Sequence, residues 1–459
     1  MIGNWSLEDL QQALGEQVGG TVIGEDAAFL RVCTDTRTLQ AGDLFIALRG
    51  PNFDGHKFIA QAKAAGAAAA VVETPQEVDL PQWQVSDSRI ALGQIARLNR
   101  ERFTGPVVAV TGSGGKTTVK EMLASVLSQQ GSVLATRGNL NNDIGAPLTL
   151  LELADTHQLA VIELGASAEG EIAYTVALTK PDVAILNNAM GAHLEGFGSL
   201  QGVVRAKGEI FSTLTEDGCA IINADDANAA YWLKQTDGQR RLTFGVENAQ
   251  ADINADALAM QENGCYRFSL NHGGDQVDVT LPVMGRHMVA NATAVAAACR
   301  AQGVPMAQIA SGLEAFKPVP GRMCPLTTER GCQVIDDCYN ANPDAVKAAI
   351  DVLAALPGKR MLVLGDMGEL GEDEALLHAE VGAYAAEQGI EQLLVKGELS
   401  AHTVKGYQTA GGQQAQLFEN HEQLIAHLVP LCDAGCRVLV KGSRSAAMEK
   451  VVTALMEGA

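Results

Sequence analysis

A glycine-rich segment that ends in lysine and threonine is the strongest chemical signal in the sequence. It reads TGSGGKTT and follows the apolar run Val107–Val110. Glycines permit a tight turn that points N–H groups at an anion, and the N-terminus of the following helix favours negative charge. The lysine adds a full positive charge, and Thr117 offers a hydroxyl to magnesium. The segment predicts a nucleoside triphosphate site made by Gly112, Ser113, Gly114, Gly115, Lys116, Thr117 and Thr118.

This segment departs from the common phosphate-loop pattern GxxxxGK[ST]. Val110 stands where that pattern has its first glycine, so the usable core is the shorter GxxGKT. A glycine-rich turn between a strand and a helix can also serve packing alone. The preceding strand, the following helix and the Lys-Thr-Thr sequence favour phosphate binding over that alternative. The pattern indicates a triphosphate and says nothing about what the protein does with it.

Three later residues have side chains that suit phosphate chemistry. Glu163 follows the apolar run Leu159–Ile162, and α/β sheets place ligands at the carboxyl ends of such strands, so we expect it to contact magnesium. His193 lies in a glycine-rich stretch, where an isolated histidine is more often a surface residue. Lys207 has the surroundings of an ordinary solvated helix lysine. Spacing alone therefore gives a role to Glu163 only.

The elements that must position these residues alternate between strands and helices. Short apolar runs predict parallel strands buried on both faces, and helical stretches separate them. Hairpins around residues 262–264 and 272–274 predict an antiparallel addition at a sheet edge. Prolines near residues 75–81 and 317–321 predict linkers. We expect an α/β chain of three domains: a small N-terminal α/β domain (1–82), a central doubly wound, mostly parallel sheet carrying the phosphate loop (83–318), and a Rossmann-like C-terminal domain (319–459).

Composition narrows the class of protein. A chain of 459 residues suits about three domains, and its net charge of −21 argues against nucleic acid or a membrane surface as the main partner. No apolar run approaches the length of a membrane span, and we expect no secretion signal. The nine cysteines lack paired spacing, which favours reduced thiols. We therefore expect a cytoplasmic protein that is not inserted in a membrane.

A series of ordered blocks resembles one enzyme family, the Mur ligases. That family's nucleotide loop also lacks the distant first glycine. Two blocks near the N-terminus are similar to its first domain, DTR at 35–37 and GDLFIALRG at 42–50, followed by DGH at 54–56. The other matching blocks are NLNNDIGAPLT (139–149), ELGA (163–166), AHLEGFG (192–198), AKGEI (206–210), GRH (285–287) with Asn291, PGR (320–322) and DDCYNANP (336–343).

The resemblance implies an ATP-dependent amide ligase of peptidoglycan precursor synthesis. The γ-phosphate of ATP would pass to the terminal carboxylate of UDP-N-acetylmuramoyl-tripeptide, and the amino group of D-alanyl-D-alanine would attack the acyl phosphate, leaving ADP and phosphate. The blocks CYNANPD (338–344) and GDMGELG (365–371) favour this acceptor. The alternatives are a related Mur or folate-polyglutamate ligase with another acceptor, or a regulatory phosphate-loop ATPase. The third residue of the tripeptide, diaminopimelate or lysine, stays open.

The resemblance also implies ATP and Mg²⁺ as cofactors and gives roles to individual residues; we expect a monomer. The catalytic set would be Lys116, Glu163, His193, Lys207 and Arg322. Magnesium would be held by Thr117, Glu163, His193 and Lys207, the last as a carbamate. Besides the loop, ATP would contact His287, Asn291, Arg322, Asp337 and Tyr339. The two substrates would contact Thr36, Arg37, His56, Asn142, Asn342, Asp366 and Ser443.

Overall fold

Three main β-sheets, of five, nine and six strands, organise the chain in the computed structural model, which describes residues 1–191 and 194–458. Helices alternate with the strands throughout, so the predicted α/β class with three regions is confirmed. Within the described residues, no helix combines the length and apolar character needed to cross a lipid bilayer. All nine cysteines are unpaired thiols, as expected.

The first region is built on the five-stranded sheet, in the order β2-β9-β8-β5-β4. Interpreting the proline-flanked segment 75–81 as a linker is wrong, because the chain returns after it as a strand, Gln82–Val85, between two others of this sheet. That strand has two glutamines among its four residues, which hid it from a search for apolar runs. The elements are β1 (Trp5–Ser6), α1 (Leu7–Val18), β2 (Gly20–Ile23), β3 (Ala28–Phe29), β4 (Val32–Cys33), β5 (Leu44–Ile46), β6 (Arg49–Gly50), β7 (Phe53–Asp54), α2 (Ile59–Ala64), β8 (Ala69–Val72) and β9 (Gln82–Val85).

The central region carries the nine-stranded sheet, in the order β11-β12-β10-β13-β14-β15-β16-β17-β18. The first seven strands are parallel, and the predicted hairpins form the antiparallel edge β16-β17-β18. Its elements are α3 (Ser88–Arg102), β10 (Val107–Thr111), α4 (Lys116–Leu127), β11 (Val133–Ala135), α5 (Gly145–Leu151), β12 (Leu159–Glu163), α6 (Glu171–Thr179), β13 (Val183–Leu186), α7 (Leu194–Phe197), α8 (Leu200–Gly208), β14 (Cys219–Asn223), α9 (Ala229–Gln235), β15 (Arg240–Gly245), β16 (Ile253–Met260), β17 (Cys265–His272), β18 (Asp275–Met284), α10 (Arg286–Ala301) and α11 (Met306–Glu314).

Strand β10 is buried on both faces, which explains its continuous apolar sequence. Val108 and Val110 pack in the core with α4 and α10, whereas Val107 and Ala109 belong to the core that contains α3 and α6. The strand lies between β12 and β13. The chain builds β11 and β12 on one side of β10 and then crosses to the other side to build β13 and the strands after it. Such a switch point opens a crevice at the carboxyl end of the strand, which is where the glycine-rich segment lies.

The C-terminal region carries the six-stranded sheet, in the order β19-β20-β24-β21-β22-β23, with only its first pair antiparallel. It shares a core with the central region, because Val352 and Leu356 of this region cluster with Met284 at the end of β18. Its elements are β19 (Cys324–Thr327), β20 (Gln333–Asp337), α12 (Pro343–Ala355), β21 (Lys359–Gly365), α13 (Glu374–Glu387), β22 (Gln392–Lys396), α14 (Ser400–Thr409), β23 (Ala415–Phe418), α15 (His421–Leu428), β24 (Cys436–Lys441) and α16 (Glu449–Glu457).

Candidate active site

The glycine-rich segment forms a tight turn from β10 into α4. Gly115 lies immediately before α4 with φ +78°, and a Cβ atom there would come within 2.5 Å of the side chains of Asn187 and Asn291. Only glycine fits that position without displacing both amides. The first N–H groups of α4 have no partner within the helix, and Lys116, Thr117 and Thr118, which carry them, line the crevice above β10. The turn therefore has the geometry of an anion site.

Polar groups from the next strand hold the turn in shape. The Gly114 N–H donates to Oδ1 of Asn188 at 2.8 Å, and Nδ2 of Asn187 donates to the Gly114 carbonyl at 3.0 Å. Asn187 also donates to Oδ1 of Asn291 at 2.9 Å, which ties β13 to α10. The spacing of the loop gave no sign of these asparagines. They follow β13 directly, so their position at a strand end next to β10 was the available signal.

Lys116 and Thr117 begin α4 and face the crevice. The Lys116 ammonium donates to the Gly112 carbonyl at 2.8 Å. Burial lowers its pKa and the nearby Arg322 acts in the same direction, while Glu163 opposes both. The Thr117 hydroxyl accepts a hydrogen bond from Nη2 of Arg322 at 3.1 Å. Positive charge thus gathers beside the helix N-terminus, as an anionic ligand requires.

Glu163 ends β12 beside this cluster, with only 2% of its surface exposed. Its Oε1 accepts a hydrogen bond from Asn141 at 2.7 Å, whereas Oε2 is buried without a partner in the described part of the chain. A buried carboxylate oxygen without a partner is costly unless a ligand satisfies it. Together with the Thr117 hydroxyl it makes an oxygen set that suits Mg²⁺.

Lys207 is buried rather than solvated. It lies on α8 with 2% of its surface exposed, 3.4 Å from the Ala166 carbonyl and 5.1 Å from the Phe197 ring centroid. Burial, assisted by the charge of Lys116, lowers the pKa of Lys207 to about 7. The side-chain amine of Lys207 is therefore uncharged in a large fraction of the molecules near neutral pH. The expectation of an ordinary solvated lysine from local sequence is wrong.

Two cavities flank the turn. The first, which we call the α10 cavity, has a volume of about 220 Å³ and lies between the turn, α10 and the C-terminal region. The second, the β12 cavity, has a volume of about 240 Å³ and lies on the other side of the turn, at the end of β12. Ser113, Gly114, Gly115 and Arg322 line both. A ligand held by the turn in one cavity could therefore contact a second ligand in the other cavity.

The predicted nucleotide residues outside the turn line the α10 cavity, with one exception. His287, Asn291, Arg322 and Asp337 line it, whereas Tyr339 lines the β12 cavity. Burial lowers the pKa of His287, so its ring is uncharged at neutral pH.

Residues of the C-terminal region close over the turn. The Arg322 guanidinium stacks 4.1 Å from the Tyr339 ring centroid, and its Nε has no partner among the described residues. Asp337, at the end of β20, pairs through Oδ2 with the buried Lys441 ammonium at 2.5 Å. Lys441 also donates to the Asn340 carbonyl at 2.9 Å. The sequence prediction did not include Lys441, although it ends β24 next to β20.

Four of the predicted substrate residues fall into three places. Asn142 lines the β12 cavity, and Asn342 lines the α10 cavity while its Oδ1 caps α12. Asp366 and Ser443 adjoin at the ends of β21 and β24, where the Ser443 hydroxyl donates to the Asp366 carbonyl at 2.6 Å. The Asp366 carboxylate accepts from the N–H of Ser400 at 2.8 Å.

The remaining three substrate residues lie in the first region and line neither cavity. Thr36 is partly buried and Arg37 is exposed, its guanidinium bonded to Asp35. His56 is buried, and both ring nitrogens are engaged. Its Nε2 accepts from the Glu73 N–H at 2.9 Å, so Nδ1 carries the proton shared with Asp54. In this arrangement His56 fixes the 3₁₀ turn Gly55–Phe58 to the end of β8.

His193 lies outside the described residues. Within residues 1–191 and 194–458, no group of three histidine, cysteine or acidic side chains gathers that could hold a metal ion unaided.

The fold and site define a nucleotide-binding α/β enzyme of three regions, and comparison with known proteins identifies its family. Three family models match: the Mur ligase family catalytic domain at 30–102, the Mur ligase middle domain at 110–299 and the Mur ligase glutamate ligase domain at 321–444. The chain belongs to the Mur ligase family and is an ATP-dependent ligase.

Individual relatives are similar along the whole chain. The UDP-N-acetylmuramoyl-tripeptide–D-alanyl-D-alanine ligase of Escherichia coli K12 is 46% identical over 97% of both chains. A crystal structure of MurF from Acinetobacter baumannii matches with a TM-score of 0.91 at 36% identity, over 99% of both chains. MurF ligase from Thermotoga maritima, solved in complex with ADP, matches with a TM-score of 0.83 at 29% identity, over 93% of this chain and 97% of that one.

Proposed function

We propose that this enzyme joins D-alanyl-D-alanine to UDP-N-acetylmuramoyl-tripeptide through an acyl phosphate, forming ADP and phosphate in cytoplasmic peptidoglycan precursor synthesis. The observation that carries the proposal is the pair of cavities flanking one phosphate-binding turn. One can hold the nucleoside, and the other can hold a carboxylate next to the terminal phosphate. The 46% identity to the Escherichia coli ligase over 97% of both chains supports the same substrates.

Electrostatics explains why the turn and its cations are needed. A carboxylate is a poor electrophile until phosphorylation converts one of its oxygens into a leaving group. The reaction must therefore bring two anions together, and cations have to offset their repulsion. Lys116, the N–H groups at the start of α4 and the guanidinium of Arg322 provide that charge in a partly closed site. The acceptor's amino group then attacks the acyl carbon, and phosphate leaves.

The magnesium site would be formed by Thr117 and Glu163, with His193 and a carbamate on Lys207 as further ligands. The Oε2 of Glu163, which has no partner among the described residues, supports this assignment. Only a neutral amine adds to CO₂, and the lowered pKa of Lys207 makes that form available. Bound Mg²⁺ would screen the charges of the phosphates. The carbamate would turn a cation into an anion beside that metal.

The other residues serve binding and closure. Residues of the α10 cavity, His287, Asn291 and Asp337, would contact the nucleoside. Arg322 and Tyr339 would exclude water from the acyl phosphate, which otherwise hydrolyses. The predicted boundary at residue 82 cuts β9, so the first region, which would bind the UDP end of the substrate with Thr36, Arg37 and His56, extends to Val85. The central region, up to residue 318, would bind ATP. Residues 319–459 would bind the dipeptide, with Asn342, Asp366 and Ser443. Asn142 would meet the tripeptide at the β12 cavity, and we propose a monomer.

A coupled assay of phosphate release tests the reaction. Purified enzyme with ATP, Mg²⁺, the UDP-linked tripeptide and D-alanyl-D-alanine should release phosphate and form the UDP-linked pentapeptide, observed by mass spectrometry. Replacing the dipeptide with glutamate or with a diamino acid is the matched control and should give no product. Turnover with either of those acceptors would indicate a related ligase. Phosphate release that ignores both substrates would indicate a regulatory ATPase.

A further inference from the structure

A further cavity opens beside the β12 cavity, between the start of α3, the segment before α5 and the start of α6. We call it the α6 cavity, and its volume is about 210 Å³. Glu171 lines both cavities, and Asp143 of the α6 cavity is next in sequence to Asn142 of the β12 cavity. The two spaces therefore adjoin, and a ligand in one can extend into the other.

The α6 cavity is lined by one cation, Arg89, and by three carboxylates, those of Asp143, Glu169 and Glu171, of which Asp143 lies beside Arg89. Nη1 of Arg89 lies 2.7 Å from Oδ2 of Asp143, with side chains 51% and 29% exposed, so both remain within reach of a ligand. The Tyr174 hydroxyl is buried nearby and has no hydrogen-bond partner in the described part of the chain. Burial raises the pKa of Tyr174 to about 12, so the hydroxyl keeps its proton and can donate it.

Substrate chemistry connects the two cavities, provided the proposed function holds. The carboxylate that is phosphorylated belongs to the third residue of the tripeptide and must lie in the β12 cavity. The side chain of that residue leaves the adjacent carbon, so it must enter a neighbouring space. Diaminopimelate ends its side chain with an ammonium and a carboxylate on one carbon, whereas lysine ends with an ammonium alone. A side-by-side cation and anion are complementary to the former.

We propose that the α6 cavity binds the side-chain amino-acid group of the third residue and selects diaminopimelate over lysine. Arg89 and the Tyr174 hydroxyl bind the distal carboxylate, and Asp143 binds the ammonium. With lysine there, Arg89 would face an ammonium without an intervening carboxylate, and like charges repel. The other two carboxylates of the cavity have partners: Glu169 pairs with Arg205 at 2.6 Å, and Glu171 accepts a hydrogen bond from the Ser167 N–H at 2.8 Å. Asp143 is the carboxylate that lies beside Arg89.

The test compares UDP-linked tripeptides that end in diaminopimelate or in lysine, at saturating ATP and D-alanyl-D-alanine. The wild-type enzyme should have a kcat/KM about tenfold or more higher for the diaminopimelate form, the value of one charged hydrogen bond. Arg89→Gln should lower kcat/KM for that form about tenfold to a hundredfold, mainly through KM, and should abolish the preference. Arg267→Gln removes a similar exposed ion pair on the β17–β18 hairpin and should leave the preference intact.

A second variant keeps the test independent of folding. Tyr174→Phe removes one oxygen atom and should reduce the same preference by a smaller factor, with an unchanged melting temperature. Equal losses with both tripeptides in Arg89→Gln, or a wild-type preference for lysine, would overturn the assignment of the α6 cavity. If the wild-type enzyme used neither tripeptide, the proposed function itself would fail, and the outcome would differ visibly from a mere loss of preference.

Discussion

The carboxyl edges of the central and C-terminal sheets face each other across the α10 cavity, and they differ in how their polar groups are satisfied. On the central edge, Glu163 keeps a buried oxygen without a partner in the described chain, and the Lys116 ammonium contacts a carbonyl of its own turn. On the C-terminal edge, Asp337 is neutralised by Lys441 at 2.5 Å. The first edge is prepared for charges that arrive with a ligand, whereas the charges of Asp337 and Lys441 on the second edge already balance each other.

The difference in pairing between the two edges indicates which edge meets the charges that change during the reaction. Buried charges without partners are costly, so a site that keeps them must recover stability when its ligand binds. Groups already paired can orient a ligand but contribute less to the change in charge. Arg322 connects the edges, because it belongs to the C-terminal region and bonds to Thr117 of the central one. Substitutions on the central edge should therefore affect turnover most.

The largest effect should follow Lys116→Ala. Loss of the full charge beside the terminal phosphate should lower kcat by about 10³-fold or more, the scale of losing a phosphate-stabilising cation. Turnover measured by phosphate release, with magnesium–nucleotide binding by calorimetry, checks this. Lys347→Ala, which removes a partly exposed lysine paired with Glu380, is the charge control and should keep full activity. Activity that survived in Lys116→Ala would contradict the assignment of the central edge.

A smaller loss should follow Arg322→Ala, because this residue bridges the two edges. Removing the guanidinium, which bonds to Thr117 beside the phosphate-binding turn, should lower kcat by about 10²-fold. The fold should persist, since the side chain is not part of the hydrophobic core. The melting temperature, measured by circular dichroism, should stay within a few degrees of the wild type. Arg444→Ala is the matched control, because it removes an exposed arginine of the same region that pairs with Glu449. Unchanged kinetics in Arg322→Ala would remove the C-terminal edge from the reaction.

Lys207→Ala should lower activity about tenfold to a hundredfold, as losing a metal ligand or its support does. Short carboxylic acids should partly restore turnover in this variant, because they can supply the missing anion in the space left by the side chain. The same acids should not rescue Lys116→Ala, which lacks a cation rather than an anion. Full activity of Lys207→Ala without added acid would reject the carbamate role.

The sequence predicted the central edge better than the C-terminal edge for a physical reason. The phosphate turn is local: strand, glycines, lysine and helix are contiguous, so the pattern Thr111–Thr118 carries its own geometry. The apolar runs of β10, β12 and β13 predicted buried parallel strands, which the structure confirms. Strand β9 was missed because its polar residues break the apolar run.

Contacts between distant segments were beyond local patterns. Lys207 is buried where α8 meets the segment that follows β12, next to the Ala166 carbonyl. The pairing of Asp337 with Lys441 joins residues separated by 104 positions. The family resemblance named Lys207 and Asp337 without their environments, and it did not extend to Lys441. Lys441 could have been found from its position, because a charged residue at the end of a predicted parallel strand is a candidate for the site. Lys441 ends β24 beside β20.

The smallest effect on turnover should come from Lys441→Met, because Lys441 acts as a positioning residue for Asp337. Without the ammonium, the Asp337 carboxylate keeps a hydrogen bond from the Met323 N–H at 3.1 Å but loses its charge partner. The Asp337 carboxylate should then rotate away from the position where it would contact the nucleoside. We expect KM for ATP to rise about tenfold and kcat to change less, the cost of one charged hydrogen bond.

A double-mutant cycle separates positioning from general damage to the fold. Asp337→Asn removes the charge that Lys441 neutralises, so Asp337→Asn with Lys441→Met should leave no unpaired buried ion. The double variant should be more stable than Lys441→Met alone, with a coupling free energy of unfolding of up to about 3 kcal/mol. Its KM for ATP should stay high, because the carboxylate that meets the nucleoside is gone. Additive losses in both stability and KM would mean that the two side chains act independently, and the C-terminal edge would then resemble the central one.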